Sequence, residues 1–513
     1  MNKELEQDIA DPPSTTLGML RHLGPGLILA GSIVGSGELI ATTRTGAEAG
    51  FTFLWLIIIG CIIKVFTQIE LARYAISSRK TTLRAMNDLP GPRILGGNWI
   101  VWFWLIMFTA GIGQLGGIVG GVGQALSLSW PLTEQGRTYN AFVTLKTERN
   151  VLERKLQANT DEERQSRLQT EFDAITSQIS TSGDVQPSND DKIWAVIISV
   201  LTVFMLTWGN FSFIERFCMI MVGAFTFVTI GNLFALQTYP DWAIGWAELK
   251  EGLSFGLPEL SDEQKAKGMS PLTTALAAFG IIGVGSSELV AYPYWCLEKG
   301  YGRAIGPDDG TKTWSERAAG WLRVMRFDAW LSMIVYTFST IAFYLLGAAI
   351  LSRAGIIPAG ADMIRTLSVM YEPVFGDTAQ VVFLFGAFAV LFSTFFSANA
   401  AKTRMAADVI SVVGFVKMDE EKRGRWIKGF SVFFPAACAL IYIYYPEPVT
   451  LILIAGVMQS LLLPMLGFAA LYFRYKKCHP DLTPNKIWDI MLWMSFACFL
   501  VVGIYLVYAK LFG

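Results

Sequence analysis

Eleven apolar runs, most of them 20 residues or longer, leave this chain little choice of fold. In hydrocarbon a backbone must satisfy its own hydrogen bonds, so each such run reads as a membrane-crossing helix. The runs cover roughly 24-48, 51-77, 98-128, 192-210, 212-237, 272-297, 327-352, 378-402, 427-444, 448-474 and 486-511. The expected fold class is therefore an all-α membrane protein of about eleven transmembrane helices. Composition agrees: 53% of the 513 residues are hydrophobic, 16% are charged and mean hydropathy is +0.44, too apolar for a water-soluble chain of this length. A net charge of -1 gives nucleic acid no electrostatic footing.

Basic residues set the expected orientation. Arg79, Lys80 and Arg84 follow span 2, and Arg303, Lys312, Arg317 and Arg323 follow span 6. Lys417, Lys422, Arg423, Arg425 and Lys428 follow span 8, and Lys476 and Lys477 follow span 10. By the positive-inside rule these connections, and the N-terminal tail 1-23, face the cytoplasm. The tail is acidic and lacks the apolar core of a cleavable signal. The expected location is a prokaryotic plasma (inner) membrane, with the C-terminus outside.

A polar insertion, 131-191, separates spans 3 and 4. Leu145, Leu152 and Leu156, then Leu168, Phe172, Ile175 and Ile179, recur at helical spacing, and Thr160 with Glu163 forms a capping-box signature. The insertion predicts an extracytoplasmic helical hairpin. Its mixed charges suit a solvated face, with a partner or oligomer contact as the alternative.

Within span 1 the stretch "GSIVGSGELIATT" places three glycines, two serines and Glu38 in an apolar run. The pattern returns in span 6: Gly35-Ser36-Gly37-Glu38-Leu39 is matched by Gly285-Ser286-Ser287-Glu288-Leu289. Five crossings separate the copies, so they traverse the bilayer in opposite directions, the mark of inverted repeats in secondary transporters. The first repeat comprises spans 1-5 (24-237), the second spans 6-10 (272-474), and span 11 (486-511) is additional.

Glycine and serine let a helix unwind, and unwound backbone survives at membrane depth only when buried in protein or lining a wet cavity. Glu38 and Glu288 are expected at the first turn of a new half-helix, where the dipole favours a carboxylate. Each could cap its half-helix. Alternatively the two converge near the midplane as hard oxygen ligands for a cation, with Ser36, Ser286, Ser287, Gly37 and the carbonyls of Gly35 and Gly285 completing the shell. An ionisable group inside a span costs about 3 kcal/mol or more, which favours a functional role. Oxygen ligands suit magnesium, calcium or manganese. Two close carboxylates could also share a proton that metal binding releases.

Other intramembrane polar residues are weaker candidates. Gln114 and Tyr292 are possible pathway residues, as are Ser397 and Asn399. Gly117 and Gly121 suit close helix packing. Trp295 follows Tyr292 on the same helix, as packing or as a wall of the site. Lys64 and Glu70 do not share a helical face, so snorkelling or separate partners are expected. The six cysteines, Cys61, Cys218, Cys296, Cys438, Cys478 and Cys498, lack metal-site spacing and read as small buried side chains. No Walker A or HExxH motif and no nucleophile-base pair occurs, so neither an enzyme nor a cofactor is expected.

On further stretches the chain resembles the Nramp family of divalent-metal transporters. "GPGLILAGSI" resembles the lead into span 1, and "GWAELKEGLSFGLP" with "FGIIGV" resembles the approach to span 6. "RVMRFDAWLSM", with Arg326 and Asp328, resembles the start of span 7, and "SLLLPMLGF" the Leu-Pro break of span 10. The resemblance implies a LeuT-like fold of two inverted five-helix repeats with helices 1 and 6 broken, and alternating access to a central site. The family's Asp-Pro-Gly-Asn is replaced here by Gly35-Ser36-Gly37-Glu38, and its Met-Pro-His by Gly285-Ser286-Ser287. The only histidines are His22 and His479, both near membrane boundaries.

The expected function is secondary transport of a hard divalent cation such as magnesium or manganese, with protons as a possible second substrate. The alternative is transport of an organic solute such as an amino acid or amine. A third reading, a membrane receptor or scaffold engaging a partner through the hairpin, leaves the duplicated Gly-Ser-x-Glu unexplained.

Overall fold

The computed structural model describes residues 9-158, 162-183, 185-208, 211-258 and 270-512. Thr160 of the expected capping box lies outside them. Ten helices among the described residues are long and apolar enough to cross a membrane: Pro25–Ala49, Leu54–Ser78, Trp99–Ser129, Asp190–Trp208, Pro271–Glu298, Lys312–Ser352, Ala379–Val412, Glu420–Tyr444, Pro448–Lys477 and Lys486–Ala509. These are spans 1-4 and 6-11. Span 5 is the helix Phe211–Leu236, of which Gly223–Leu236 forms a shorter apolar stretch. A two-strand hairpin, Arg93–Ile94 against Gly97–Asn98, joins spans 2 and 3.

Local chemistry sets the helix ends. Pro25, Pro271 and Pro448 open spans 1, 6 and 10, where the missing amide costs nothing. Asn98, Thr311 and Asp419 cap spans 3, 7 and 9 through their side chains. The insertion folds into two packed helices, Glu134–Ala158 and Glu162–Thr181. It is tied to span 3 by Asn140, which donates to the Ser127 carbonyl at 2.7 Å, and to the short helix Met363–Ser368 between spans 7 and 8 by Arg365, which donates to Thr144 and Asn140.

Burial separates a core from a rim. In spans 1 and 6 the most apolar window is 89% buried, against 22% in span 4 and 33% in span 11. Spans 1 and 6 are thus the inner pair, surrounded by spans 2, 3, 5, 7, 8 and 10. Asp328 in span 7 fastens the start of span 1, accepting from the amides of Gly24 at 3.2 Å and Gly26 at 2.6 Å.

The two inner helices are interrupted differently. Span 6 stops at Ile281 and resumes at Ser286, giving half-helices 6a (Pro271–Ile281) and 6b (Ser286–Glu298). Between them Ile282 is extended and Gly283 is left-handed at φ 54°. Span 1 never opens: Pro25–Ile33 runs into a π-helix over Val34–Thr42 and then Thr43–Ala49. Gly37 explains the contact between the two, since a Cβ there would lie 2.8 Å from the carbonyl oxygen of Ile281. In span 10 the helix continues through Pro464 to Tyr472 and widens only at Phe473–Lys477, so the Leu-Pro break implied by resemblance is absent.

Gly283→Ala tests the break. A left-handed non-glycine residue costs about 1–3 kcal/mol, and the new Cβ would meet the Cys61 Cα at 3.1 Å. Gly310 is also left-handed, at φ 70°, but has open space around it. Thermal unfolding in detergent should show a larger fall for Gly283→Ala than for Gly310→Ala; equal falls would remove the role of close approach.

Candidate functional site

The break in span 6 lies beside a narrow cavity of about 20 Å³, room for roughly one water. Four spans line it: Ser32 and Ser36 from span 1, Gln114 from span 3, Ser287 and Glu288 from span 6, and Thr394 and Lys402 from span 8. Its polar wall is ordered by a chain of hydrogen bonds. Gln114 Nε2 donates to Ser36 Oγ at 2.9 Å, and Gln459 Nε2 in span 10 donates to Gln114 Oε1 at 2.7 Å. Gln459 Oε1 in turn accepts from the Ser287 amide at 3.2 Å and Ser286 Oγ at 3.4 Å. The N-cap residue of 6b, Gly285, has no side chain to satisfy that helix end, and Gln459 does so from another span.

Glu288 stands in the first turn of 6b, as its position after Gly285 predicts. Its carboxylate folds back over the half-helix start, since a Cβ on Gly285 would lie 2.5 Å from Glu288 Oε2. Lys402 supplies the cavity's positive charge, and no Lys402-Glu288 ion pair within 4.0 Å forms. The Lys402 ammonium sits 4.7 Å above the Phe108 ring and against the glycine face of span 3, where a Cβ on Gly111 would meet its Nζ at 2.5 Å.

Glu38 lies elsewhere. It falls in the middle of the π-helix, not at the start of a half-helix, because span 1 stays continuous. Its Oε1 accepts from the Gly283 amide at 3.0 Å and from Thr340 Oγ1 of span 7 at 3.0 Å. Glu38 is fully buried and does not line the cavity. The expected meeting of two carboxylates in one shell is therefore not what the structure holds: Glu288 faces the cavity, and Glu38 is bound outside it to the Gly283 amide and Thr340. Oε2 of Glu38 accepts no hydrogen bond among the described residues.

The other candidates divide likewise. Ser36, Ser287 and Gln114 line the cavity, while Ser286 is buried behind it against Gln459. Gly35 brings span 1 against Thr394, whose Oγ1 would lie 2.3 Å from a Cβ there. The Gly285 carbonyl accepts from the Leu289 amide at 2.9 Å, an ordinary helix bond, so it is not a free ligand. Carbonyls of span 1 take hydroxyl donors, Thr42 Oγ1 to Gly37 at 2.8 Å and Thr394 Oγ1 to Gly31 at 3.0 Å. Tyr292 is fully buried, donating to Asp328 at 2.9 Å, and is an anchor of spans 6 and 7. Asn399 turns back on its own helix, donating to the Phe395 carbonyl at 2.7 Å. Neither lines the cavity. Among the described residues no three His, Cys, Asp or Glu side chains cluster so as to hold a metal ion.

Lys64 of span 2 does not snorkel. It is fully buried, and its ammonium donates to the carbonyls of Phe279 and, at 2.8 Å, Ile282. Glu70 has separate partners, Arg73 at 3.0 Å and the indole of Trp488 at 2.7 Å. Sequence reasoning missed Gln459, Lys402 and Thr340. A lysine inside span 8 and a glutamine inside span 10 were the available signals for Lys402 and Gln459; a threonine in span 7 carries none.

A cavity at a broken inner helix, walled by surrounding spans, marks the molecule as an α-helical membrane protein of LeuT-like fold. The family model described as natural resistance-associated macrophage protein-like, Nramp, matches residues 188–509, and the chain belongs to the Nramp family. No curated protein sequence matches it. The fold is similar to that of a mutant of the Eremococcus coleocola manganese transporter, at TM-score 0.61 and 15% identity over 98% of this chain and 89% of that one. It is also similar to that transporter in complex with an aromatic bis-isothiourea substituted compound (0.60, 14%, 98% and 89%). MhsT in complex with L-phenylalanine gives 0.51 and 14% over 97% and 99% of the two chains. At these identities the likeness is one of fold.

Replacing Gln459 by Leu removes the cap of 6b and leaves the Gln114 amide oxygen without its donor. The expected loss is about 1–3 kcal/mol. A double-mutant cycle with Gln114→Ala should show a coupling of at least about 0.5 kcal/mol in thermal unfolding. Strict additivity would mean that the chain of amides does not act as a unit.

Proposed function

We propose that this protein is a secondary transporter that carries a small, hard divalent cation, such as magnesium or manganese, through the Glu288 cavity by alternating access. The observation that carries the reading is the cavity itself. Its 20 Å³ admits a dehydrated ion or one water, and its wall presents hydroxyl, amide and carboxylate oxygens from Ser36, Gln114, Ser287 and Glu288. Membership of the Nramp family supports divalent metal as cargo. The manganese transporter of similar fold is in keeping with it.

Lys402 gives the site a specific chemistry. With one carboxylate and one ammonium the empty cavity is close to neutral, and a divalent cation reaching Glu288 meets the ammonium's repulsion. Loading then requires Lys402 to withdraw or to give up its proton. In the second case metal entry is linked to proton release at Lys402. The sign follows: a lower pH keeps Lys402 charged and weakens cation binding, and a higher pH favours it.

The same pair of charges favours a second reading. A zwitterionic solute would place its carboxylate at Lys402 and its ammonium at Glu288, and such a solute occupies MhsT, which shares the fold. That cargo needs a wider cavity than this conformation has.

Uptake by purified protein in liposomes, screening magnesium, manganese and calcium alongside amino acids and amines, decides between them. Cation flux should fall at least about ten-fold in Glu288→Gln, since a neutral amide cannot replace a desolvated carboxylate ligand. Lys402→Met should retain cation flux, since the repelling ammonium is gone and the Glu288 carboxylate remains. Amino-acid flux indifferent to metal would establish the second reading instead.

A further inference from the structure

The C-terminal end of a helix presents unpaired carbonyls and the negative pole of its dipole. At the end of 6a this pole is buried among spans 1, 2 and 7, where water cannot satisfy it. The fully buried ammonium of Lys64 lies on it, donating to the Phe279 and Ile282 carbonyls and standing 4.7 Å over the Phe279 ring. Gly60, one turn earlier, makes the approach possible, since a Cβ there would lie 3.0 Å from Phe279 and 3.1 Å from Ile282. On the next residue of the break, Glu38 holds the Gly283 amide and keeps its second oxygen open, buried and without a hydrogen bond. The two carbonyls are oxygen ligands of the kind a hard cation takes, and the Glu38 carboxylate stands near them without an ion pair to Lys64 within 4.0 Å. A side chain of this protein fills the place.

We propose that Lys64 is a tethered cation, standing where a monovalent ion would otherwise bind at the end of 6a, so that the span 6 break is held without any co-ion. This goes beyond the cargo reading, because Lys64 and the two carbonyls it holds are not among the residues that line the cavity, and their site is complete whatever passes through it. The physical logic is one of substitution. A bound ion and a lysine both neutralise Glu38 and the 6a dipole, but the lysine carries no dissociation constant. The chain thereby carries at this place a charge fixed to the scaffold of span 2 in place of a diffusible ion.

The test removes the ammonium and offers free cations in its place. Thermal unfolding of purified Lys64→Ala is followed in N-methylglucamine chloride, in sodium or potassium chloride, and with propylammonium, which has the shape of the missing side-chain end. The expected result is a lowered midpoint in N-methylglucamine that rises by several degrees, with a saturating dose response, on adding sodium or propylammonium. Wild type and Lys64→Arg should be indifferent to the same exchange, and Lys64→Met, which fills the space with an apolar chain, should be lowered and not rescued. A Lys64→Ala protein as stable as wild type, or lowered without rescue by any of the cations, overturns the proposal.

Should Lys64→Ala not be recovered in folded form, wild type alone decides: indifference of its midpoint to monovalent salt supports the tethered cation, and stabilisation specific to sodium or potassium overturns it. The measurement needs no cargo, so its outcome is separable from that of the uptake assay.

Discussion

Everything in this structure turns on four residues, 282 to 285, at which a buried helix stops being a helix. Interrupted backbone inside an apolar interior leaves carbonyls at one end and amides at the other, and each unsatisfied group costs several kcal/mol where no water reaches. Three different spans meet that cost. Lys64 takes the carbonyls of Phe279 and Ile282, Glu38 takes the amide of Gly283, and Gln459 takes the amide of Ser287. The break is a junction satisfied from three sides, and the polar groups that satisfy it also fix spans 1, 2 and 10 around it.

That arrangement distributes charge in an ordered way. The two glutamates of the repeated motif do not share a site. One is absorbed into the junction, opposite Lys64, and the other faces the cavity, opposite Lys402. Each buried acid is thus balanced by a buried base from a neighbouring span, which is how ionisable groups persist in a low-dielectric interior. A cation reading of the cavity rests on Glu288 with neutral oxygens around it. Glu288 is the one acid that lines the cavity, and no cluster of three acids forms among the described residues.

The inverted repeat itself was legible because it is a pattern of residue types: Gly-Ser-x-Glu-Leu occurs twice, and the parity of crossings between the copies follows from counting apolar runs. The cavity-lining positions Ser36, Ser287, Glu288 and Gln114 were likewise legible as polar residues in apolar spans. Tyr292 and Asn399 looked alike on that criterion, yet one anchors Asp328 and the other bonds to its own helix. Polarity in a span marks a residue that needs a partner. It does not say whether the partner is a substrate, a neighbouring span or the residue's own backbone.

Sequence alone determined that the chain crosses a membrane many times, that two of its helices carry matched irregularities, and that an acid accompanies each, because hydropathy and residue type are properties of the chain read in one dimension. Only the tertiary structure decided that span 1 widens into a π-helix while span 6 opens, that Glu288 faces the cavity while Glu38 is bound outside it, and that Lys64, Lys402 and Gln459 complete the junction. The reason is distance: the partners of residues 279 to 288 lie more than 100 positions away, on helices whose rotation about their axes is set by glycine contacts such as Gly37 on Ile281 and Gly60 on Phe279. Which face of a helix meets which neighbour is a property of packing, and no local pattern encodes it.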